Sequence, residues 1–320
     1  MAAMIRGLEG VGEELVRLWR AGADRFPAHT SGSTGTPKDV LLPRRDVTAS
    51  ARATNERFGI TSQSLLVSPL SADYIAGKMM IVRALLADCD LVMELPSNQP
   101  LHDIYGEIQL LPIVPSQAQH FIDHPEKLSR VRNVIIGGSA IPTDMEREIS
   151  DWSTDVYATY GMTETCSHVA LRRIGEEIYE AMPGITFSTD HEGRLTIHAP
   201  AYSFGTLTTN DVVELVSPTS FRYLGRADNV INSGGVKIHP EQLERILSES
   251  ISETFYLTSE PHPLWGEALV LVVERGRGIF TTDALQAICE ELLPPKLRPK
   301  RVVIEDRLPR TSSGKIIRRR

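Results

Sequence analysis

Cysteine is scarce in this chain of 320 residues: Cys89, Cys166 and Cys289 stand far apart, and no Cys-x-x-Cys pair occurs. That excludes a disulfide-built scaffold and a thiolate zinc site, and it suits a reducing compartment. Long apolar runs are missing too. Nothing approaches the roughly eighteen consecutive apolar residues that a membrane helix needs. Met1 to Leu8 shows no charged start, apolar stretch and small-residue cleavage site, so no secretion leader is expected and the expected location is cytoplasmic. Nor is there an excess of positive charge. The net charge of −7 argues against general nucleic-acid binding. The exception is the basic stretch from Lys296 to Arg320, which reads either as a solvated tail or as a local attraction for an anionic substrate. Internal repeats and low-complexity segments are absent.

What is present, near both ends, is chemistry for phosphate. Pro309-Arg310-Thr311-Ser312-Ser313-Gly314-Lys315 puts a lysine on a glycine turn beside small hydroxyl residues, a cation suited to charge building on a phosphate. Thr30-Ser31-Gly32-Ser33-Thr34-Gly35-Thr36-Pro37-Lys38 offers backbone N–H groups, hydroxyls and a lysine. Its glycines let the backbone approach an anion closely. Pro37, between Gly35 and Lys38, separates it from a Walker A loop, where Gly-Lys-Ser/Thr runs straight into a helix. A Ser/Gly linker has a similar composition but rarely ends in Pro-Lys before an apolar segment. Two such elements almost a chain length apart point to an ATP-using enzyme assembled across two lobes.

Between them, strand and helix signals alternate. Leu65–Leu70, Leu91–Leu95, Arg132–Ile136 and Asp155–Tyr160 read as strands. Gly77–Ala87 reads as a helix, Ser116 as the cap of another running to Ile122, and Pro142–Ile149 as a third with a proline start and acidic first turn. The apolar stretch Ile108–Val114 stops at Pro115. Alternation of this kind predicts an α/β layer arrangement with a mainly parallel sheet. After Pro183 the pattern turns to short strands, at Leu195–His198, Val212–Val216 and Phe221–Leu224. Gly225-Arg226-Ala227-Asp228-Asn229 is a candidate hinge. Beyond it come a helix opened by Pro240-Glu241, strands at Thr254–Thr258 and Ala268–Glu274, a helix over Thr282–Leu292 and a strand near Arg301–Ile304. The expected domains are therefore 1–227, a large α/β lobe with a β-rich part at 184–227, and 228–320, a small α+β lobe.

Tyr160-Gly161-Met162-Thr163-Glu164-Thr165 follows a strand, where α/β sheets place ligands. Glu164 can ligate magnesium, Thr163 can donate to a phosphate oxygen and Tyr160 can stack on a base. A plain strand-to-helix turn with a capping threonine has the same spacing. Asp211, in Thr209-Asn210-Asp211, can accept from ribose hydroxyls, although Asn-Asp is also an ordinary turn pair. Arg226 and Lys237 flank Asn232-Ser233-Gly234-Gly235, a double glycine that permits close passage of a ligand and equally suits a turn.

Taken in order, these segments resemble the adenylate-forming acyl-CoA synthetase superfamily, which includes firefly luciferase and peptide-synthetase adenylation domains. The resemblance runs from about Ala28 to Arg318. It rests on T-S-G-S-T-G-T-P-K at 30–38, Y-G-M-T-E-T at 160–165, T-N-D at 209–211, L-G-R-A-D-N-V-I-N-S-G-G-V-K-I at 224–238 and P-R-T-S-S-G-K at 309–315. It implies ATP, Mg2+ and coenzyme A as cofactor and co-substrates. Thr30, Ser31, Gly32, Ser33, Thr34, Gly35 and Lys38 would hold the β- and γ-phosphates. Gly138, Ser139 and Ala140 would line the adenine side, with Tyr160 and Gly161 against the base. Thr163 would contact the α-phosphate and Glu164 the metal. Asp211 and Arg226 would secure the ribose, Gly234, Gly235 and Lys237 would meet the pantetheine channel, and Asp228 would be the hinge. Lys315 would catalyse adenylation and then leave as the small lobe turns for thioester formation.

The chain departs from that pattern in two places. Only twenty-nine residues precede the loop at Thr30, so the resemblance implies that an N-terminal subdomain is lacking and that part of the cleft wall is dispensable or comes from another subunit. A homo-oligomer is left open on this ground. The usual T-G-D also reads T-N-D, which keeps the aspartate but changes the turn.

For the acid, Y-G-M-T-E-T-C-S-H-V-A-L resembles the o-succinylbenzoate–CoA ligases of menaquinone biosynthesis. Arg83 matches an arginine implicated there in binding a second carboxylate, and His168 falls near the same pocket. An exposed helix arginine and a structural histidine are the alternatives. Rival functions are another acyl- or aryl-CoA ligase, an adenylation enzyme loading a carrier protein, and a non-catalytic nucleotide-binding homologue. Lys315, Glu164 and Asp211 together argue against the last.

Overall fold

The computed structural model describes residues 4–29, 39–102, 104–276, 281–310 and 316–318. The chain forms two compact units. The first comprises Met1–Ser188, Thr196–Leu207 and Leu215–Arg222, and the second Thr189–Leu195, Thr208–Glu214 and Tyr223–Arg320.

The first unit opens with β1 (Ile5–Arg6), α1 (Val11–Arg20) and a hairpin of β2 (Arg25–His29) and β3 (Asp39–Pro43), paired from Arg25–Pro43 to His29–Asp39. There follow α2 (Arg44–Arg57), β4 (Leu65–Ser68), α3 (Ile75–Ala87), β5 (Asp90–Met93), β6 (Ile108–Ile113), α4 (Pro115–Asp123), β7 (Asn133–Ile136), α5 (Thr143–Ser150), β8 (Asp155–Met162), β9 (Ser167–Arg173) and β10 (Ile178–Ala181). Strands β1, β5, β4, β6, β7 and β8 lie side by side in that order and run parallel, with β9 and β10 continuing antiparallel. Continuous apolar runs such as Leu65-Leu66-Val67 and Val134-Ile135-Ile136 are what strands covered on both faces require. Val67, Leu111, Ile113, Phe121, Val134, Ile136, Ile149 and Val156 form one core between this sheet and α4 and α5. Helix α3 is buried over most of its length, and its first turn sits tight on the preceding loop. A Cβ at Gly77 would come within 2.2 Å of the Ser71 carbonyl oxygen.

The α/β layer expectation holds, with local corrections. Ser116 does not cap α4. Pro115 occupies the first helical position, where its missing N–H costs nothing, and it keeps Val114 extended. The Gln117 side chain then accepts from the Val114 N–H at 3.1 Å. Strand β8 runs two residues past Tyr160, because Gly161 and Met162 still pair with His168 and Ser167 of β9 across a bulge. Helices α1 and α2 and the β2–β3 hairpin were not foreseen.

Strands β11 (Thr186–Thr189), β12 (Arg194–Ala199), β13 (Gly205–Ser217) and β14 (Ser220–Arg226) have residues in both units, and Ser220–Arg222 extend the first unit's sheet beside β10. The second unit adds β15 (Ile231–Ser233), β16 (Val236–Ile238), α6 (Pro240–Leu247), β17 (Phe255–His262), β18 (Gly266–Glu274), α7 (Thr282–Leu292) and β19 (Arg301–Glu305). Its sheet has the order β16-β15-β18-β17, with β19 parallel to β18. Leu243, Leu247, Leu257, Leu269, Leu271, Leu285 and Cys289 fill the core between that sheet and the two helices.

Candidate functional site

In the first unit, the C-terminal ends of β7 and β8 bring two predicted segments side by side. Gly137 lies so close to β8 that a Cβ there would meet Thr159 Oγ1 at 2.3 Å. Gly138 takes a φ of 88°, and it leads into exposed Ser139 and Ala140. At the end of β8 the Tyr160 ring lies edge-on to Tyr179 and Phe221, with centroids 5.9 and 5.2 Å away. Gly161 is required by its neighbour strand, since a Cβ would fall 2.1 Å from the Ser167 carbonyl oxygen. Thr163 is buried at 7% exposure and Glu164 is exposed, both in a short 3-10 turn. Among the described residues, no group of three His, Cys, Asp or Glu could hold a metal by itself. A lone exposed carboxylate fits magnesium, which is commonly held by one or two carboxylates plus substrate phosphates.

Arg83, on α3, is not an exposed helix residue. It is 2% exposed, and among the described residues it has no carboxylate partner. Nη2 donates to Ser167 Oγ at 2.7 Å, Nη1 faces Met80 Sδ at 3.3 Å, and buried Nε has no acceptor. Burial brings its pKa down to about 10, against a small opposing effect of Tyr202. His168 is buried beside it, and burial followed by the Arg83 charge pushes its pKa well below the ordinary 6.5. Its Nε2 lies 3.1 Å from Thr54 Oγ1. Ser167 and Thr54 were missed in the sequence. Ser167 stands next to His168 in the motif, but Thr54 gave no signal.

In the second unit, Asp211 of β13 is buried at 7% exposure. Arg226 reaches Asp211 Oδ1 at 3.4 Å through Nη1 and Asp228 Oδ2 at 3.2 Å through Nη2. Burial lowers the Arg226 pKa, but Asp211 and Asp228 outweigh that and leave it raised. Asn210 Nδ2 donates to the same Asp228 oxygen. Gly234 and Gly235 make the β15–β16 turn at φ 56° and 79°, with Lys237 exposed after it. The predicted residues Thr30, Ser31, Gly32, Ser33, Thr34, Gly35, Lys38 and Lys315 lie outside the described residues. The chain either side of Lys315 is well tied. Arg310 pairs with Ile316, Arg310 Nη2 bonds Glu274 at 2.9 Å, and Arg318 grips Glu244 with both terminal nitrogens.

Comparison with known proteins decides the family. A model of AMP-binding enzymes matches residues 26–224, and one of the AMP-binding enzyme C-terminal domain matches 254–315. The chain belongs to the AMP-binding enzyme family. A 2-succinylbenzoate–CoA ligase of Enterococcus faecalis is 26% identical to it, over 91% of this chain and 68% of the relative. A crystal structure of an AMP-forming acyl-CoA synthetase/AMP-acid ligase II-like protein from Dyadobacter fermentans is 33% identical. The match covers 96% of this chain and 91% of that one, with a TM-score of 0.66. O-succinylbenzoate coenzyme A synthetase from Bacillus subtilis, solved with ATP and magnesium ion, shares the fold at 20% identity, with a TM-score of 0.76 over 91% of this chain and 68% of that chain.

Proposed function

We propose that this protein is an AMP-forming acid–CoA ligase that converts o-succinylbenzoate, CoA and ATP into o-succinylbenzoyl-CoA, AMP and pyrophosphate. A carboxylate oxygen of the acid attacks the α-phosphorus of ATP and pyrophosphate leaves. The CoA thiolate then attacks the acyl carbon and AMP leaves. Thr163 and Lys315 are assigned to the charge developing on the α-phosphate, and Glu164 to the magnesium that travels with ATP. Tyr160, Gly161 and the segment Gly138-Ser139-Ala140 are assigned to the base, Asp211 and Arg226 to the ribose, and Gly234, Gly235 and Lys237 to the CoA arm. Residues 30–35 with Lys38 take the outer phosphates, and Asp228 is the pivot between the two half-reactions. A cytoplasmic setting belongs to the same proposal, supported by three buried, unpaired cysteines among the described residues.

The observation that carries the choice of acid is Arg83. A guanidinium taken fully out of water is normally held by a carboxylate, and among the described residues this one has a serine, a thioether and an unused Nε–H. A fatty acid would offer it nothing, whereas an acid with a second carboxylate supplies the missing anion. Acid-dependent ATP–pyrophosphate exchange tests the reading. Exchange should appear with o-succinylbenzoate and be much weaker with 4-oxo-4-phenylbutanoate, which lacks the ring carboxylate. Exchange with fatty acids but not o-succinylbenzoate would sink it, and no exchange with any acid despite ATP binding would favour a non-catalytic homologue.

A further inference from the structure

Behind Arg83 lies a row of polar groups, all buried except half-buried Ser167, drawn from three elements: Ser50 and Thr54 on α2, Ser167 and His168 on β9, and Arg83 itself on α3. Thr54 is wholly buried and His168 is 6% exposed. Thr54 Oγ1 donates to the Ser50 carbonyl oxygen at 3.1 Å and lies 3.1 Å from His168 Nε2. On the other side of the ring, Nδ1 lies 3.4 Å from Ser167 Oγ, which in turn accepts from Arg83 Nη2 at 2.7 Å.

One placement of the hydrogens satisfies all four contacts of this row. A threonine has one O–H. In that placement Thr54 gives it to the Ser50 carbonyl, which can only accept, so its oxygen meets His168 as an acceptor and Nε2 carries the hydrogen. Burial keeps the ring neutral, so Nδ1 is then a bare lone pair. That lone pair draws the Ser167 hydroxyl hydrogen toward itself and turns the Ser167 oxygen lone pairs toward Arg83. With the opposite tautomer, Nδ1–H would compete with Arg83 for the same serine oxygen. Among the described residues, two of the five guanidinium N–H groups are committed to Ser167 and Met80, and the others, Nε–H among them, are left for a ligand.

We infer that Thr54 sets the His168 tautomer and thereby the direction in which Ser167 holds Arg83, which makes Thr54 a positioning residue for the second carboxylate of the acid. The inference rests on Arg83 being the acid's receptor, as proposed above. Thr54 touches neither substrate nor reacting atom, and its effect reaches them only through the imidazole.

The test compares Thr54→Val, which keeps the shape and removes the hydroxyl, with Thr54→Ser and Arg83→Gln. Each is assayed with o-succinylbenzoate and with 4-oxo-4-phenylbutanoate. Thr54→Val should raise KM for the diacid about tenfold, the scale of one misdirected charge-assisted hydrogen bond, with kcat little changed. It should leave the monoacid unaffected, and Thr54→Ser should restore the diacid. Nitrogen-15 NMR of histidine-labelled protein should show His168 neutral with hydrogen on Nε2, and a mixture of tautomers in Thr54→Val. A wild-type Nδ1–H tautomer overturns the inference, as does an equal effect of Thr54→Val on both acids. No effect of Thr54→Val beside a loss of diacid preference in Arg83→Gln overturns the relay alone. Arg83→Gln with the preference intact overturns the receptor reading and the relay with it.

Discussion

Asn210 and Asp228 are joined side chain to side chain: the amide of Asn210 donates to the same carboxylate oxygen that Arg226 reaches from the other side. Asparagine stands here where the resembling superfamily has glycine, so this bond is a property of this chain. It ties the turn at Ala227–Asn229 to β13. If that turn must rearrange between the half-reactions, the bond slows the step that needs the rearrangement. Asn210→Gly should raise thioester formation relative to adenylation by roughly fivefold, the worth of about one hydrogen bond. Rapid-quench measurement of both half-reactions checks this, and an unchanged ratio would show that the bond has no bearing on the turn.

Arg83→Gln should lower kcat/KM for o-succinylbenzoate by about 10- to 100-fold, in keeping with a lost charge-assisted pair. The monoacid should hardly notice. Steady-state kinetics with the two acids gives the answer directly, and an equal loss for both would assign Arg83 to the scaffold.

Lys315→Ala should cut acid-dependent pyrophosphate exchange by roughly a hundredfold or more, as expected for removing a charge aimed at the transition state. Thioester formation from supplied acyl-adenylate should stay within a few-fold of wild type. Parallel loss of both steps would remove the division of labour between them.

Arg318 and Glu244 form a partly buried pair on the second unit. Burial raises the Glu244 pKa, and the Arg318 bonds oppose that rise without cancelling it. Arg318→Leu leaves the carboxylate without its cation and should cost about 1–3 kcal/mol. Glu244→Leu combined with Arg318→Leu should recover much of that loss. Urea unfolding of the two variants tests the pairing, and equal stability of the single and double variants would contradict it.

Stability should also depend on pH through His168. Its folded pKa lies well below 6.5, so the unfolded chain takes up the proton first as pH falls. The stabilisation is complete above 6.5 and is lost as pH drops below it, with a limiting slope of about 1.4 kcal/mol per pH unit for this one group. Burial lowers His120 and His239 in the same direction, so the wild-type slope is a sum. His168→Gln should flatten the curve between about pH 6.5 and 5. An unaltered slope would mean that the ring takes up its proton over the same pH range in the folded and the unfolded chain.

The layer order was legible because buried parallel strands and amphipathic helices write themselves as runs and periods. Thr282–Leu292 came out with the bounds read from the sequence, and Leu65–Ser68 within two residues. Helix α2 was hidden for a physical reason. Its buried face carries Asp46, Ser50, Thr54 and Asn55 among small alanines, so no apolar stripe marks it. The polar row behind Arg83 was illegible on the same account. Thr54 lies 114 positions from His168 and Arg83 lies 84 from Ser167, and no local pattern joins residues that only the fold brings together. The candidate phosphate motifs stand out in the sequence because the chemistry proposed for them is written in consecutive residues.

The desolvated guanidinium of Arg83 has a consequence beyond recognition. A cation held in the interior with no anion beside it among the described residues makes the empty protein less stable than its sequence could make it. Arg83→Met should therefore melt at a higher temperature than wild type while losing its preference for a diacid. The correct acid should raise the melting temperature of the native chain by more than the same concentration of the monoacid, because relief of the buried charge appears as tighter binding. Folding and substrate choice are opposed at one side chain, and heat alone can reveal which small molecule relieves the opposition.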